Sequence, residues 1–397
     1  MNHLDYGIVD CDTHIYEPRD AFTRYLPDEF RDRAVSAVRM ANGKEAILAG
    51  RRVATFNSES GLGFDMAYKP GSLKEMLKQM ASGNPDETYQ PEPIRVEYLE
   101  REPRLKLLEQ QGVERCVLFP AGMALAAEHY IADTDALYAN VASFNRWYDE
   151  TWGFNYQDTL YATALLSLRD LDQAIAVADD VIARGARFVL LPTGPAYGRS
   201  PGDPYFDPVW SRLNEAGVTV ALHIMPYWYF DAMSPAWGQS SDPASWHMSA
   251  WQWMNVYGER PVIDTVSALI FDNLFGRFPN LRVLIAEHGA SWVPHVVVHM
   301  DKSRGMGRNG PWIGGPLKER PSNIFKQFVR VAPYPEDDIP WIVDNLGGDD
   351  RCLVMGSDFP HAEGIANPAD FEKLLDPLDD ATKVRIMRTN ASMLFER

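Results

Sequence analysis

Four side chains that can bind a metal ion or transfer a proton lie close together near the start of the chain. The stretch VDCDTHIYEP contains Asp10, Asp12, His14 and Glu17. Residues two apart in a strand point to the same face, so Asp10, Asp12 and His14 are expected to project together. Burial of two carboxylates and an imidazole is costly unless they share a positive charge, which a divalent metal ion supplies. The stretch therefore predicts a metal site, and an edge strand with a solvated polar face is the alternative.

Residues of the same kinds end three later apolar runs of the sequence. His223 follows VTVAL, Glu287 and His288 follow LRVLIA, and Asp358 follows DRCLVMGS. Histidine and carboxylate side chains are ligands that Zn²⁺, Mn²⁺ and Fe²⁺ accept in proteins. If these runs are strands whose carboxyl ends meet, their terminal residues form one metal site.

Eight short apolar runs, separated by segments with helical periodicity, must position these residues. The runs cover residues 6–14, 113–120, 160–166, 186–192, 218–224, 281–288, 325–333 and 350–358. Alternating strands and helices are typical of a parallel sheet, and eight units predict an α/β fold of the TIM-like (β/α)₈ barrel type. An open doubly wound sheet is the alternative architecture, but no Gly-x-Gly-x-x-Gly motif follows an early strand.

Two insertions interrupt the pattern of what we expect to be a single domain covering residues 1–397. Residues 18–110 follow the first strand and predict a cap. Residues 225–258 follow the fifth strand and contain five tryptophans, including Trp228. This aromatic insertion predicts either a lid over an apolar substrate or an interface with another subunit. Trp228, Trp292 and His361 are the predicted substrate contacts, because they lie just beyond the strand ends.

The order of these residues along the whole chain resembles that of the amidohydrolase superfamily. The closest resemblance is to the branch of aminocarboxymuconate-semialdehyde decarboxylase and related metal-dependent decarboxylases and hydrolases. The motifs EHGASW, around His288, and GSDFPH, around Asp358, are fairly specific to that branch, whereas Asp-x-His alone is not. The resemblance implies that Asp12, His14, His223 and Asp358 are metal ligands, and that His288 is either a proton-transferring residue or a further ligand.

This sequence departs from the superfamily pattern at a position that bears on the number of metal ions. The lysine that bridges two metals in many members has no counterpart in the fourth run, ARFVLLP. One divalent ion per chain, Zn²⁺, Mn²⁺ or Fe²⁺, is therefore expected. Glu17 either supports this site from outside or bridges to a second ion, and in that alternative the site holds two iron ions.

The composition narrows the choice of partner and compartment. A formal net charge of −17 disfavours nucleic acids and anionic membranes, so a small-molecule substrate is expected. Cys11, Cys116 and Cys352 lie within apolar runs without a paired spacing, which predicts buried free thiols in a reducing compartment. We therefore expect a cytoplasmic protein with no membrane partner, and a homo-oligomer, with a dimer as the expected state.

The predicted function is that of a metal-dependent lyase or hydrolase that decarboxylates or hydrolyses a carboxylate-bearing substrate with a large apolar body. His288 and Asp358 are the predicted catalytic residues. The first alternative is a dinuclear non-haem iron monooxygenase that hydroxylates a bulky, terpenoid-like acid or thioester. The second is a catalytically silent binding barrel, which would have no physical need for these metal-competent residues.

Overall fold

A sheet of parallel strands in chain order forms the centre of the computed structural model, which describes residues 4–41, 43–58, 64–82, 89–225, 227–244 and 247–396. Its strands are β1 (Ile8–His14), β2 (Val113–Phe119), β3 (Leu160–Leu165), β4 (Phe188–Leu191), β5 (Thr219–Leu222), β6 (Arg282–Ile285) and β7 (Val329–Val331). Each strand pairs in parallel with the next. Strands β1, β3, β4, β5 and β7 are buried along their whole length, as expected for strands that are covered on both faces.

The eighth predicted strand lies between β7 and β1 and closes the barrel. On one side, Val354 donates its backbone N–H to the Val331 carbonyl over 3.0 Å. On the other side, Asp358 donates its backbone N–H to the Asp12 carbonyl over 2.7 Å. Gly356 is required for this approach, because a Cβ atom there would lie 2.8 Å from the Asp12 Cβ. The closed arrangement confirms the predicted TIM-like barrel.

Helices cover the outside of the barrel. Those of eight or more residues are Leu73–Ser82, Arg101–Gln111, Gly122–Tyr130, Thr134–Thr151, Leu171–Ala183, Asp207–Ala216, Arg260–Phe271, Val293–Met306, Pro321–Phe328 and Asp380–Met387. The shorter ones are Thr55–Ser58, Ser234–Ala236, Ala250–Gln252, Leu274–Arg277 and Ile339–Asn345. The 3₁₀ segments are Asp28–Arg33, Val96–Tyr98, Pro204–Phe206, Pro368–Leu375 and Thr389–Leu394. Ala174, Ala178 and Val181, one helical turn apart, illustrate how the inner helix faces join the buried core.

Among the described residues, the strands that pair in antiparallel sheets belong to the insertion after β1. They are Val35–Arg39, Glu45–Ala49 and Arg52–Val53 in one small sheet, and Met66–Ala67 and Glu92–Pro93 in another. Ile47, Phe64 and Met66 of this insertion line the same cavity as Asp12 and Asp358. The segment that was predicted to be a cap therefore lies over the carboxyl ends of the barrel strands.

The aromatic insertion after β5 contains two π-helical segments, Tyr229–Met233 and Trp253–Tyr257. Such segments are rare and occur frequently at functional sites. The rings of Trp237 and Trp251 lie 5.3 Å apart. Trp246, the remaining tryptophan of the insertion, lies outside the described residues.

The three cysteines are free and buried, as predicted. Within the described ranges, no helix combines the length and apolar character that a membrane crossing requires.

Candidate metal centre

Two histidines and three carboxylates converge at the carboxyl ends of the barrel strands. His14 Nε2 lies 3.2 Å from His223 Nε2, 3.4 Å from Asp12 Oδ1 and 3.3 Å from Asp358 Oδ1. Glu287 Oε2 lies 2.7 Å from His223 Nε2 and 4.0 Å from His14 Nε2. No side chain of the five is more than 13 % exposed. The structure thus brings together the four predicted ligands and adds Glu287.

His14 is oriented by a hydrogen bond on the far side of its ring. Its Nδ1 lies 3.2 Å from the Pro120 carbonyl oxygen, which assigns the proton to Nδ1 and directs the lone pair of Nε2 into the cluster. Arg104 is fully buried below the site and donates to the His14 carbonyl over 2.8 Å. Both contacts fix the end of β1, where the first two predicted ligands lie.

Asp10 supports the site rather than entering it, which differs from the projection expected for a regular strand. The pairing of β1 with β2 shifts register between Asp10 and Thr13, so strict alternation is lost there. The Asp10 carboxylate accepts hydrogen bonds from the Ser357 backbone N–H (2.9 Å) and hydroxyl (2.6 Å). Burial nevertheless raises the pKa of Asp10 to about 6. Asp10 therefore holds β1 against the segment that carries Asp358.

Glu287 and Asp358 both have left-handed backbone conformations, with φ angles of +54° and +53°. A non-glycine residue in this region stores backbone strain, and such strain is concentrated at functional sites. The surroundings maintain it: the Tyr334 hydroxyl donates to the Glu287 carbonyl over 2.8 Å. At Gly289, also left-handed, a Cβ would lie 2.6 Å from the Tyr334 ring. The strained strand ends point both carboxylates into the cluster.

The electrostatics of the cluster follow from burial. Burial raises the pKa of Asp12 and Asp358 well above their usual range, and it lowers the pKa of His14. Burial alone would lower the pKa of His223, but the adjacent Glu287 carboxylate outweighs it and the pKa is raised. Conversely, the proximity of His223 lowers the pKa of Glu287 despite its burial. The cluster is therefore short of positive charge.

The residues fit a divalent cation. Among the described residues, no lysine or arginine pairs with Asp12, Glu287 or Asp358, whose ion-pair partners are all histidines. Asp12 Oδ1 is buried without a hydrogen bond, since the nearby Nε2 of His14 presents a lone pair. Converging imidazole nitrogens and carboxylate oxygens are the mixed ligands that Zn²⁺, Mn²⁺ and Fe²⁺ take.

His288 does not belong to this group of convergent side chains. Its ring is fully buried, neither ring nitrogen makes a well-formed hydrogen bond, and it does not line the large cavity described below. Burial, together with the nearby His223, lowers the pKa of His288 to about 4. The ring does not join the convergent ligand atoms, and its predicted role in proton transfer stays a prediction. Glu287, the residue before it, occupies the site instead.

His361 lies at the edge of the cluster and lines the large cavity, as expected of a substrate contact. Its Nδ1 lies 2.8 Å from Asp358 Oδ1, and its ring centroid is 4.0 Å from that of His14. With His14 and Asp358 it forms a second group of convergent ligand atoms.

Glu17 has a different environment from the predicted metal bridge. Its carboxylate accepts the backbone N–H groups of Met123 (3.3 Å) and Ala124 (3.1 Å). These belong to the first turn of the helix Gly122–Tyr130, where backbone N–H groups have no partner within the helix. Both oxygens of Glu17 are therefore used to hold this helix beside β1.

Glu17→Gln is expected to change how stability depends on pH. Burial raises the pKa of Glu17 from 4.5 to about 7, so the folded chain holds this proton more tightly than the unfolded chain. The free energy of unfolding should fall as the pH rises through this interval, by up to about 3 kcal/mol, and Gln removes that loss. Urea unfolding at about pH 4 and pH 8, with the exposed Glu319→Gln as control, measures it. A variant whose difference from the natural chain is the same at both pH values would contradict the assignment.

Two predicted substrate contacts lie away from the large cavity. Trp292 is only 5 % exposed, and its Nε1 donates to the carbonyls of His288 (3.2 Å) and Gly289 (3.0 Å). It therefore positions the loop after β6. Trp228 lines a second cavity of about 170 Å³ next to His129. The spacing from the strand ends did not determine in which direction either indole points.

The large cavity measures about 780 Å³ and reaches Asp12, Glu287, Asp358 and His361 at its inner end. Apolar and aromatic residues from both insertions form much of its wall, including Ile47, Phe64, Met66, Ile94, Trp253 and Tyr257. Sequence analysis missed these residues individually, because short strands and loops of the insertion carry no periodic signal. Glu287 was identified as a strand-end residue in EHGASW, but it was given no role of its own beside His288.

A closed barrel with a buried histidine and carboxylate cluster at its strand ends defines a metal-dependent barrel enzyme. The family model described as amidohydrolase matches residues 9–397, and the chain belongs to this family. It is therefore an enzyme of the amidohydrolase superfamily, as predicted, and the silent-barrel alternative is set aside.

Similar proteins agree with this family. An amidohydrolase from Mycobacterium avium subsp. paratuberculosis K-10 is 31% identical with a TM-score of 0.84, and 99% of each chain is covered. A dihydroxybenzoic acid decarboxylase from Polaromonas sp. JS666, solved with bound manganese, is 15% identical with a TM-score of 0.60, covering 98% of this chain and 97% of that one. At 15% identity, the similarity to this decarboxylase shows only that the two proteins share a fold.

A curated relative is the 2-amino-3-carboxymuconate-6-semialdehyde decarboxylase of Dictyostelium discoideum. It is 21% identical over 194 residues, which are 49% of this chain and 49% of the relative. The match thus spans about half the length of that protein.

Proposed function

We propose that this protein is a divalent-metal-dependent decarboxylase of a carboxylic acid with a large apolar body. The observation that carries the proposal is the buried cluster of Asp12, His14, His223 and Asp358 at the inner end of a cavity of about 780 Å³ with largely apolar walls. The curated relative that is a decarboxylase supports this choice of reaction.

These four residues would hold one Zn²⁺, Mn²⁺ or Fe²⁺ ion. When bound, such an ion acts as a Lewis acid that attracts the substrate carboxylate and stabilises developing negative charge. The apolar walls bind the substrate body, orient its carboxylate towards the cluster and exclude water.

In the proposed reaction the bond between the substrate carbon and its carboxyl group breaks, and carbon dioxide leaves. The electron pair stays on the substrate carbon, which then takes up one proton. Glu287 is the group of this chain that we assign to relay that proton from solvent to the carbon, because its carboxylate lines the cavity and lies 2.7 Å from His223 Nε2. The His288 ring, next in the chain, is buried and does not line the cavity.

A dinuclear iron oxygenase remains the second candidate, favoured by the second convergent group of His14, Asp358 and His361. Asp358 has two oxygens and can contact two ions. His14 belongs to both groups, however, and its Nδ1 is engaged by the Pro120 carbonyl, so Nε2 is its only free ligand atom. Both groups would need the same His14 nitrogen, and this favours a site with one metal ion.

The reaction is tested by incubating the metal-loaded protein with a panel of bulky apolar carboxylic acids in deuterated water under air. We expect carbon dioxide release and one deuterium on the carbon that lost the carboxyl group. Consumption of dioxygen with a hydroxylated product and no carbon dioxide would contradict the proposal and support the oxygenase.

Trp253→Ala is expected to weaken binding of a bulky apolar acid by about 1–3 kcal/mol, the loss expected when a buried aromatic contact is removed. Trp253 lines the large cavity, whereas Trp228 lines the second one. Trp228→Ala is therefore the matched control and should leave binding unchanged in calorimetry. Weaker binding in the Trp228 variant alone would restore the substrate contact predicted from the sequence.

The homodimer stays a prediction. Trp237 and Met254 of the aromatic insertion are 65% and 76% exposed, and they are the side chains at which we propose that a second copy docks.

A further inference from the structure

The charged side chains that line the large cavity are all acidic. Beyond the three carboxylates of the cluster, they are Glu17, Glu45, Glu336 and Glu363. No lysine or arginine occurs among the described lining residues. The segments outside the described ranges contain no lysine or arginine in their sequence before Arg397.

Two arginines that contact residues close to this lining are Arg19 and Arg104. Arg19 lies 2.8 Å from Glu45 and 2.7 Å from Asp65, and so it serves two carboxylates. Arg104 is fully buried and donates to the His14 carbonyl. Neither lines the cavity. The cavity wall therefore offers no cationic side chain to a negatively charged group of a ligand.

The acidic residues lie both in the cluster and on the solvent-exposed part of the lining, so both places repel a second negative charge. Asp12, Glu287 and Asp358 lie at the inner end, where a metal ion would compensate one substrate carboxylate. Glu336 and Glu363 line the cavity and are exposed to solvent, as is Trp253 at 43%. A second anionic group would lie either unpaired against apolar walls or beside these glutamates, and both positions are unfavourable.

We infer that the cavity takes a monocarboxylic acid whose body carries no second negative charge, and whose outer end is neutral or cationic. This inference rests on the proposed function, since it assigns the single carboxylate to the metal cluster. Dicarboxylic acids and esters of phosphorylated carriers are therefore disfavoured as substrates. Tyr16 and Tyr68 line the cavity and can hydrogen-bond neutral polar groups of such a ligand.

The inference is tested with three ligands that share one rigid body. They are biphenyl-4-carboxylate, biphenyl-4,4′-dicarboxylate and 4′-(aminomethyl)biphenyl-4-carboxylate, titrated into the Mn²⁺-loaded protein by calorimetry. We expect the dicarboxylate to bind at least about 10-fold more weakly than the monocarboxylate, and the difference to shrink at high salt because exposed charges are screened. The aminomethyl acid should bind at least as tightly as the monocarboxylate.

Glu336→Lys and Glu363→Lys, combined, should remove the discrimination against the dicarboxylate. The exposed Glu319→Lys, which has the same charge change outside the cavity lining, should retain it. A dicarboxylate that binds the natural chain as tightly as the monocarboxylate, or no binding by any of the three ligands, would overturn the inference.

The same titrations separate this inference from the proposed function. Monocarboxylate binding that survives complete removal of metal by a chelator would contradict the assignment of the carboxylate to the cluster. The ratio of the dissociation constants of the monocarboxylate and the dicarboxylate would still measure the charge preference of the cavity.

Discussion

Replacing His223 by alanine is expected to weaken divalent-metal binding by at least about 100-fold. Loss of a residue that merely orients a metal ligand typically costs 10- to 100-fold in affinity, so loss of a ligand should cost more. His223 Nε2 lies 3.2 Å from His14 Nε2 and 3.9 Å from Asp12 Oδ1, in the middle of the convergent atoms. Calorimetric titration of chelator-treated protein with Mn²⁺ or Zn²⁺ measures the affinity.

The barrel of this variant should remain folded, because the strand β5 that precedes His223 is buried through its other side chains. Circular dichroism and thermal unfolding check this point. The matched control is His295→Ala, an exposed histidine in the helix Val293–Met306. Equal metal affinity in the two variants would contradict the assignment of His223 as a ligand.

Glu287→Gln is expected to lower the turnover number by about 10²- to 10⁴-fold, the usual contribution of a positioned proton-transfer group. The substitution keeps the size of the side chain but removes its ability to release a proton. Glu287 lines the cavity, and its Oε2 lies 2.7 Å from His223 Nε2. The turnover is measured as carbon dioxide release at saturating substrate, with the metal content of each preparation determined in parallel.

His288→Asn provides the comparison within the same strand end. We expect a loss of about 10-fold, because the buried ring neither lines the cavity nor belongs to the convergent ligand atoms. The reverse order, with a severe defect in His288→Asn and near-normal turnover in Glu287→Gln, would return the catalytic role to His288 as the resemblance implied.

The barrel could be predicted from the sequence because the pattern of an apolar run followed by an amphipathic segment is repeated along the chain. Most of the strands are short apolar runs that are buried on both faces, and the runs recur between amphipathic helices. Even the eighth run was found, although its segment joins β7 and β1 through few backbone hydrogen bonds. The two insertions were located by the same logic, since they break the repeat.

The cluster could be predicted in part for the same reason. Asp12, His14, His223 and Asp358 end apolar runs, and the carboxyl ends of barrel strands meet. The sequence did not show whether Glu287 or His288 enters the cluster, because this depends on the left-handed backbone at Glu287, where φ is +54°. A regular strand would have pointed the two residues to opposite sides without saying which one faced the site.

The loop residues could be predicted least. Glu17, Trp228 and Trp292 were placed by their distance in sequence from a strand end, which does not fix the direction of the side chain. Glu17 accepts hydrogen bonds from residues 106 and 107 positions later. Such contacts depend on the folded arrangement of the helices.

Elemental analysis of protein purified without oxygen tests the central claim most directly. The account predicts about one divalent metal ion per chain, whose removal by a chelator abolishes carbon dioxide release and whose return restores it. About two iron ions per chain, or a metal-free protein that still decarboxylates its substrate, would contradict it.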